Sequence, residues 1–176
     1  MKKKTVLDLQ RIGVDEFRAM KKIPLIVILD DVRSLNNIGS VFRTADGFAI
    51  SHIYLCGITA TPPHPDIHKT ALGAEDSVSW SHEADVVSLV ERLRAQGVVV
   101  CAIEQVMGSV SLPDFRVEPE KTYAVILGNE VKGVSQGAVD AADLCIEIPQ
   151  CGTKHSLNVS ITAGIVMWDL FKQMRM

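Results

Sequence analysis

The chain is organised around its C-terminal stretch, which reads IEIPQCGTKHSLNVSITAGIVMW over residues 146–168. A short β-branched run ends at Pro149, a polar loop follows, and a long segment of apolar periodicity then begins. Ser156 stands where a helix is capped, which places Asn158 and Ser160 inside the first turn. This junction brings free backbone N–H groups together, where an anion or a polar cofactor can bind. A capped helix with exposed polar residues is the alternative.

Length and composition indicate a single globular domain. The chain has 176 residues, of which 47% are hydrophobic and 22% charged, enough for one sizeable core. No apolar run reaches the length of about 18 residues that a membrane span requires, and no signal sequence follows the first lysines. We therefore expect a cytoplasmic protein.

Cysteine and histidine spacing favours no metal site. The four cysteines are far apart and form no C-x-x-C pair, so buried free thiols are expected at Cys56, Cys101, Cys145 and Cys151. His64 and His68 have helical ligand spacing, but prolines flank His64 and no third ligand is near. We expect a loop there.

Charge is unevenly distributed along the chain. Residues 1–22 hold seven basic and three acidic side chains, a surplus of four positive charges, while the net charge of the whole chain is −3. A basic arm on an acidic body can contact a phosphate backbone, although a solvated tail is the commoner explanation. Residues 1–22 are expected to be a short basic extension, appended to a domain that spans residues 23–176.

Predicted strands and helices alternate along the chain. Strands are expected at residues 25–29, 53–56, 98–103, 123–127 and 144–148, with a short extended piece at 78–80. Helices are expected at residues 15–20, 37–48, 66–72 and 84–95, near 135–142, and from 156 onwards. This alternation predicts an α/β fold with a mostly parallel sheet flanked by helices on both faces.

Three strand ends carry polar patterns, and ligands of open parallel sheets bind at the carboxyl ends of strands. The patterns are Asn37-x-Gly39-x-x-x-Arg43, Leu127-Gly128-Asn129-Glu130-x-x-Gly133, and Ile148-Pro149 followed by Ser156-Leu157-Asn158-Val159-Ser160. Asn37 and Arg43 are expected to face one cleft. No G-x-G-x-x-G fingerprint follows the first strand, which disfavours an ordinary dinucleotide site.

These three motifs, in this order, resemble the signature motifs of the SpoU (TrmH-type) branch of the SPOUT RNA methyltransferases. The resemblance covers about residues 23–176, and Lys69-Thr70-Ala71-Leu72-Gly73-Ala74 also looks similar to that family. It implies 2′-O-methylation of a ribose in tRNA or rRNA with S-adenosylmethionine as the methyl donor. It also implies a homodimer and a C-terminal trefoil knot. Because knotted chains are rare, the knot would not be predicted without the resemblance.

The resemblance also implies roles for individual residues. Arg43 would lie near the reacting hydroxyl, as a base or as a charge that stabilises the alkoxide, and Glu130 would orient it or groups of a neighbouring subunit. Hydrogen bonds that fix the arginine would come from Asn37, Ser156 and Asn158. The cofactor positions would be Ala102, Ile103, Leu127, Gly128, Ile148 and Leu157. A side chain at Gly128 would fill cofactor space. The plainer alternatives are a surface Arg43–Asp46 pair and a glutamate in a turn.

The last helix predicts an interface. Its apolar positions include Ile161, Ile165, Trp168 and Leu170-Phe171, more than one sheet face need cover, and the helix of the first motif is its expected partner across a two-fold axis. Two other functions stay open. One is a catalytically inactive RNA-binding or assembly protein on the same fold. The other, a flavodoxin-like nucleotide or signalling domain, leaves the late glycines unexplained.

Overall fold

Seven parallel strands form one sheet. The computed structural model describes residues 1–5, 7–9 and 11–175, with all of their side chains except that of Leu7; Val6, Gln10 and Met176 lie outside. The strands are β1 (Ile23–Asp30), β2 (Ile50–Cys56), β3 (Trp80–Glu83), β4 (Val99–Ile103), β5 (Val110–Ser111), β6 (Tyr123–Leu127) and β7 (Leu144–Glu147). Their order in the sheet is β3-β2-β1-β6-β4-β7-β5, and every neighbouring pair is parallel.

Helices cover both faces of this sheet. They are α1 (Val14–Ala19), α2 (Leu35–Gly47), α3 (Pro65–Ala71), α4 (Ala74–Ser77), α5 (Val86–Ala95), α6 (Gln136–Ala141) and α7 (Val159–Arg175). Buried side chains of α2, α3 and α7 pack with Leu25, Val27 and Leu29 of β1. Those of α5 and α6 pack with Ile26 and Ile28 on the opposite face. Because β1 is covered on both faces, it is apolar at nearly every position.

The α/β prediction is confirmed, and the differences concern short elements. Sequence periodicity missed α4, β5 and the 3₁₀ turn Leu112–Asp114, and it placed the third strand at 78–80 instead of Trp80–Glu83. Elements of two to four residues carry too few side chains for a period to be read, so tertiary contacts determine them. The other five strands and the longer helices appear where alternation placed them, with ends that differ by at most three residues.

The N-terminal segment is partly integrated into the fold. Phe17 of α1 is buried in the main core. Arg18 donates to the carbonyl of Asp76, and the ammonium of Lys22 donates to the carbonyl of Phe17. Two of the seven basic side chains are thus engaged within the chain. The proposed division at residue 22 stays a prediction.

Helices α2 and α7 pack together within one chain. The ring of Phe48, which ends α2, lies 5.7 Å from that of Trp168 and 5.2 Å from that of Phe171 between centroids. Part of α2 is therefore covered by α7 of the same chain, and the expectation that α2 also partners the last helix of a second copy stays a prediction. Ile161, Ile165 and Trp168 nevertheless remain exposed.

Cysteines and histidines have ordinary surroundings. Cys56 and Cys101 are buried free thiols, as expected, and burial raises the pKa of each to about 12. Cys145 is half-buried and Cys151 exposed, because Cys151 belongs to a loop. His64 caps α3, and His68 pairs with Glu75.

The described residues contain no group of three His, Cys, Asp or Glu side chains arranged to hold a metal ion. Within the same part of the chain, no helix is both long and apolar enough to cross a membrane.

Candidate active site

A cleft of about 510 Å³ opens at the carboxyl ends of β4, β6 and β7. Loops that follow these three strands form its walls, as expected for an open parallel sheet. Its apolar lining comprises Ile103, Leu127, Ile146, Ile148, Leu157 and Val159. Its polar lining includes Glu104, Asn129, Glu130, Lys132, Ser156 and Asn158. Polar and apolar side chains thus share the lining, and a cleft of this size is typical of a small-molecule site.

Glu130 joins the loop after β6 to the start of α2. One carboxylate oxygen accepts from the backbone N–H of Arg33 at 3.0 Å, and the other accepts from the N–H of Ser34 at 2.9 Å and from Asn37 Nδ2 at 3.0 Å. Burial alone raises the pKa of Glu130, but these three hydrogen bonds outweigh it and lower the pKa below its ordinary value. Glu130 is therefore ionised at neutral pH.

Asn37 links Glu130 to Asn158. Its Nδ2 donates to Glu130, so its Oδ1 is free to accept from Asn158 Nδ2, at 3.2 Å. Asn158 Oδ1 in turn accepts from the N–H of Ser160 at 2.9 Å and of Ile161 at 3.3 Å. A carboxylate at one end and helix amides at the other thus fix both side-chain amides in a single orientation. One residue from each of the three motifs takes part.

The first turn of α7 is capped by Asn158, and the expectation that Ser156 caps this helix is wrong. Val159 is the first helical residue, and Asn158 accepts the amides two and three positions further on, as an N-cap does. Both residue types cap helices well, so spacing alone did not distinguish them. Ser156 instead lines the cleft from the exposed loop before the cap.

Arg43 lies apart from this cluster. It is exposed on α2, does not line the cleft, and makes no side-chain hydrogen bond or ion pair with any other described residue. Arg43 lies six positions after Asn37 on the helix, so the two side chains leave the helix about 120° apart. They do not face one cleft, as the spacing had suggested. The alternative Arg43–Asp46 pair is also missing among the described residues, and Asp46 accepts from Ser77 Oγ instead.

Five of the six predicted cofactor positions line the cleft, namely Ile103, Leu127, Gly128, Ile148 and Leu157. Ala102 does not, since it is fully buried inside β4. Glu104 and Gln105 also line the cleft; sequence reasoning expected the loop after the 98–103 strand to contribute but did not name these two residues. Their signal was their position directly after a buried strand, the same signal that identified the other two loops.

Gly128 has a structural role that differs from the expected one. A Cβ atom at this position would collide with the backbone of Gly133 and Val134 rather than project into the cleft. The loop folds back on itself here, because the backbones of Asn129 and Gly133 exchange two hydrogen bonds of 3.0 and 2.9 Å. The glycine is required by this close approach. A side chain at Gly128 would therefore disturb this loop, and it would not simply fill cofactor space as expected.

The chain is similar to RNA methyltransferases over most of its length. A profile described as the SpoU rRNA Methylase family matches residues 24–168. The 23S rRNA (guanosine-2′-O-)-methyltransferase RlmB of Nitrosomonas europaea is 29% identical over 161 residues, which cover 90% of this chain and 60% of that protein. The chain thus spans less than two thirds of this relative.

Solved structures agree with this similarity. The TrmH/SpoU tRNA modifying enzyme of A. aeolicus is 26% identical and superimposes with a TM-score of 0.80, over 91% of this chain and 80% of that one. An AdoMet-bound rRNA methyltransferase from Sinorhizobium meliloti is 28% identical, with a TM-score of 0.81, over 91% of this chain and 61% of that one.

Proposed function

Since the chain belongs to the SpoU rRNA Methylase family, we propose that it transfers a methyl group from S-adenosylmethionine to the 2′-hydroxyl of a ribose in tRNA or rRNA. The observation that carries this proposal is the hydrogen-bonded series Glu130–Asn37–Asn158 beside the cleft. It joins all three motifs of the family resemblance at one place. RlmB, a relative of this chain, is named as a guanosine-2′-O-methyltransferase.

The cleft suits S-adenosylmethionine. Its volume of about 510 Å³ is within the range of about 300–1,000 Å³ that is usual for small-molecule sites. Ile103, Leu127 and Ile148 would enclose the adenine between apolar side chains, while backbone groups of the three loops would read its edge. When bound, S-adenosylmethionine supplies an electrophilic methyl group on a sulfonium.

The remaining task is to prepare a ribose hydroxyl, which is a poor nucleophile at neutral pH. We assign the electrostatic part to Arg43 on the family resemblance; its exposed side chain lies outside the cleft and makes no side-chain hydrogen bond to another described residue. A guanidinium group stays protonated and offers no acceptor, which makes proton abstraction difficult, so stabilisation of the developing alkoxide is the role that we favour. Asn37, Ser156 and Asn158 would hold the hydroxyl in line with the methyl group.

The oligomeric state, the chain topology and the RNA contacts are further parts of the proposal. We infer a homodimer with active sites beside its interface, because Ile161, Ile165 and Trp168 are exposed in one row along α7. A C-terminal trefoil knot is proposed on the family resemblance. The basic segment of residues 1–22 would contribute RNA affinity through Lys2, Lys3 and Lys4, which are exposed.

Calorimetry and RNA mapping together test this function. The protein should bind S-adenosylmethionine in calorimetry and not bind mononucleotides. Cells that lack the gene should lose a ribose methylation at one position of tRNA or rRNA, which mass spectrometry would locate. Binding of S-adenosylmethionine without any lost methylation would instead favour the inactive RNA-binding alternative, and binding of mononucleotides alone would favour a flavodoxin-like domain.

A further inference from the structure

Two carboxylates outside the three motifs hold the loop that follows β6. Strand β6 lies between β1 and β4 in the sheet. Asp30 is the last residue of β1, and Glu104 directly follows β4. An acidic residue therefore stands at the carboxyl end of each of the two strands beside β6, next to the same loop.

Both carboxylates accept hydrogen bonds from consecutive amides of this loop. Asp30 Oδ2 accepts from the N–H of Ser135 at 2.8 Å, and Glu104 Oε2 accepts from the N–H of Val134 at 2.9 Å. The second oxygen of Glu104 accepts from the N–H of Gln105 at 2.9 Å, which fixes the side chain to its own strand end. Asp30 is only 3% exposed. Hydrogen bonds to carboxylates are about twice as strong as those between neutral groups.

The loop is a closed unit that is held at both of its ends. Residues 128–134 close on themselves through the paired backbones of Asn129 and Gly133 and the close approach at Gly128. Asn129 and Glu130, which line the cleft, tie one end of the unit to the residues before α2. The bonds at Val134 and Ser135 fix the other end, so both sets of contacts determine where the cleft wall stands.

We propose that Asp30 and Glu104 are positioning residues that set the shape of the S-adenosylmethionine cleft by holding the amides of Ser135 and Val134. The proposal rests on the function proposed above. Without the two acceptors, the loop populates other positions, and the apparent cofactor affinity falls in proportion to the fraction of competent molecules.

Alanine variants of both residues test the proposal by calorimetry with S-adenosylmethionine. We expect Glu104→Ala and Asp30→Ala each to raise the Kd about tenfold. Hydrogen exchange should accelerate at the amides of Val134 and Ser135 in both variants. In methyl-transfer assays the KM for the cofactor should rise while kcat at saturation stays close to that of the unaltered protein. If buried Asp30→Ala fails to fold, Asp30→Asn should give a smaller change in the same direction.

Asp143→Ala is the matched control. Asp143 also accepts from a strand amide, that of Val100 at 2.8 Å, but at the opposite end of β4. This variant should lower the thermal midpoint and leave the Kd unchanged.

The outcomes separate the two proposals. If the unaltered protein does not bind S-adenosylmethionine, both proposals fail. If it binds and the affinity of Glu104→Ala is unchanged, only the positioning role is refuted. Since Glu104 lines the cleft and Asp30 does not, weaker binding in Glu104→Ala alone would indicate direct contact with the cofactor and would also refute it.

Discussion

Asn37 is the residue at which the other polar groups of the site meet. Its identity was predictable from the motif, but its orientation was not, because an amide presents a donor and an acceptor that sequence cannot distinguish. Glu130 on one side and Asn158 on the other settle that orientation. The position of Arg43 was also unpredictable, since it depends on which faces of α2 the neighbouring helices cover.

An Arg43 variant should distinguish an effect on the methyl-transfer step from an effect on cofactor binding. If Arg43 acts on the developing charge, Arg43→Ala should lower the single-turnover rate about 100-fold or more, with cofactor affinity nearly unchanged. Arg33→Ala is the control, because Arg33 is also exposed beside α2 and its side chain makes no hydrogen bond among the described residues. Full methyl transfer by Arg43→Ala would show that the proposed role is wrong.

A Gly128 variant tests whether the close backbone approach in its loop requires a glycine. Gly128→Ala should cost about 1–3 kcal/mol, because the added carbon overlaps the backbone of Gly133 and Val134. Thermal unfolding and calorimetry should show lower stability together with weaker cofactor binding. Gly152→Ala, where nothing lies within 4 Å of the added atom, should change neither. Unaltered stability in Gly128→Ala would contradict the close approach.

At the scale of elements, the site is built on the N-termini of two helices. Glu130 accepts amides that precede α2, and Asn158 accepts the first free amides of α7. The sequence predicted both helices and the loops before them, since alternation and turn residues identify such junctions. It could not choose between Ser156 and Asn158 as the cap, because the loop path from β7 decides that choice.

Asn158 and Ser156 should therefore differ in their effect on stability. Asn158→Ala removes the cap of α7 and should lower the unfolding free energy by about 1 kcal/mol. The thermal midpoint should fall by about 2–4 °C, the shift expected for a chain of this size. Ser156→Ala should leave it unchanged, because Ser156 is exposed and caps no described helix. Equal losses in both variants would contradict the assignment of the cap.

Glu130 should make stability depend on pH on the acidic side. Its pKa is below the ordinary value of 4.5, so its contribution is present above that pH and is lost as the pH falls through the lowered value. Glu130→Gln should be less stable than the unaltered protein at pH 7, and the difference should shrink below about pH 4.5. Urea unfolding from pH 7 to 3 measures this, with exposed Glu91→Gln as the control. A difference that stays constant with pH would contradict the prediction.

At the scale of the whole molecule, the late strand β6 stands at the centre of the sheet. Its apolar run predicted a buried strand, but no local pattern specifies its neighbours. Its pairing with Leu25–Leu29 joins residues nearly a hundred positions apart. The strand order was therefore beyond the reach of sequence periodicity, although it decides which strand ends meet at the cleft.

The exposed apolar row Ile161, Ile165 and Trp168 on α7 predicts a homodimer. Sedimentation at micromolar concentration should show twice the chain mass of 19.2 kDa, and Trp168→Glu should shift the protein towards the single chain, because a charge would be buried at the interface. Ile58→Glu, at an exposed residue outside α7, should leave the dimer intact. A single-chain mass for the unaltered protein would refute the homodimer.

The central place of β6 also bears on synthesis at the ribosome. Strands β1, β2 and β3 can pair as soon as residue 83 has emerged, whereas β6 begins at Tyr123. At about 5–20 residues per second, roughly 2–8 s separate the end of β3 from the start of β6 during translation. During this interval the nascent half-sheet has an open apolar edge along β1, the kind of edge that recruits other chains. We therefore expect the nascent chain to be most prone to aggregation during this interval.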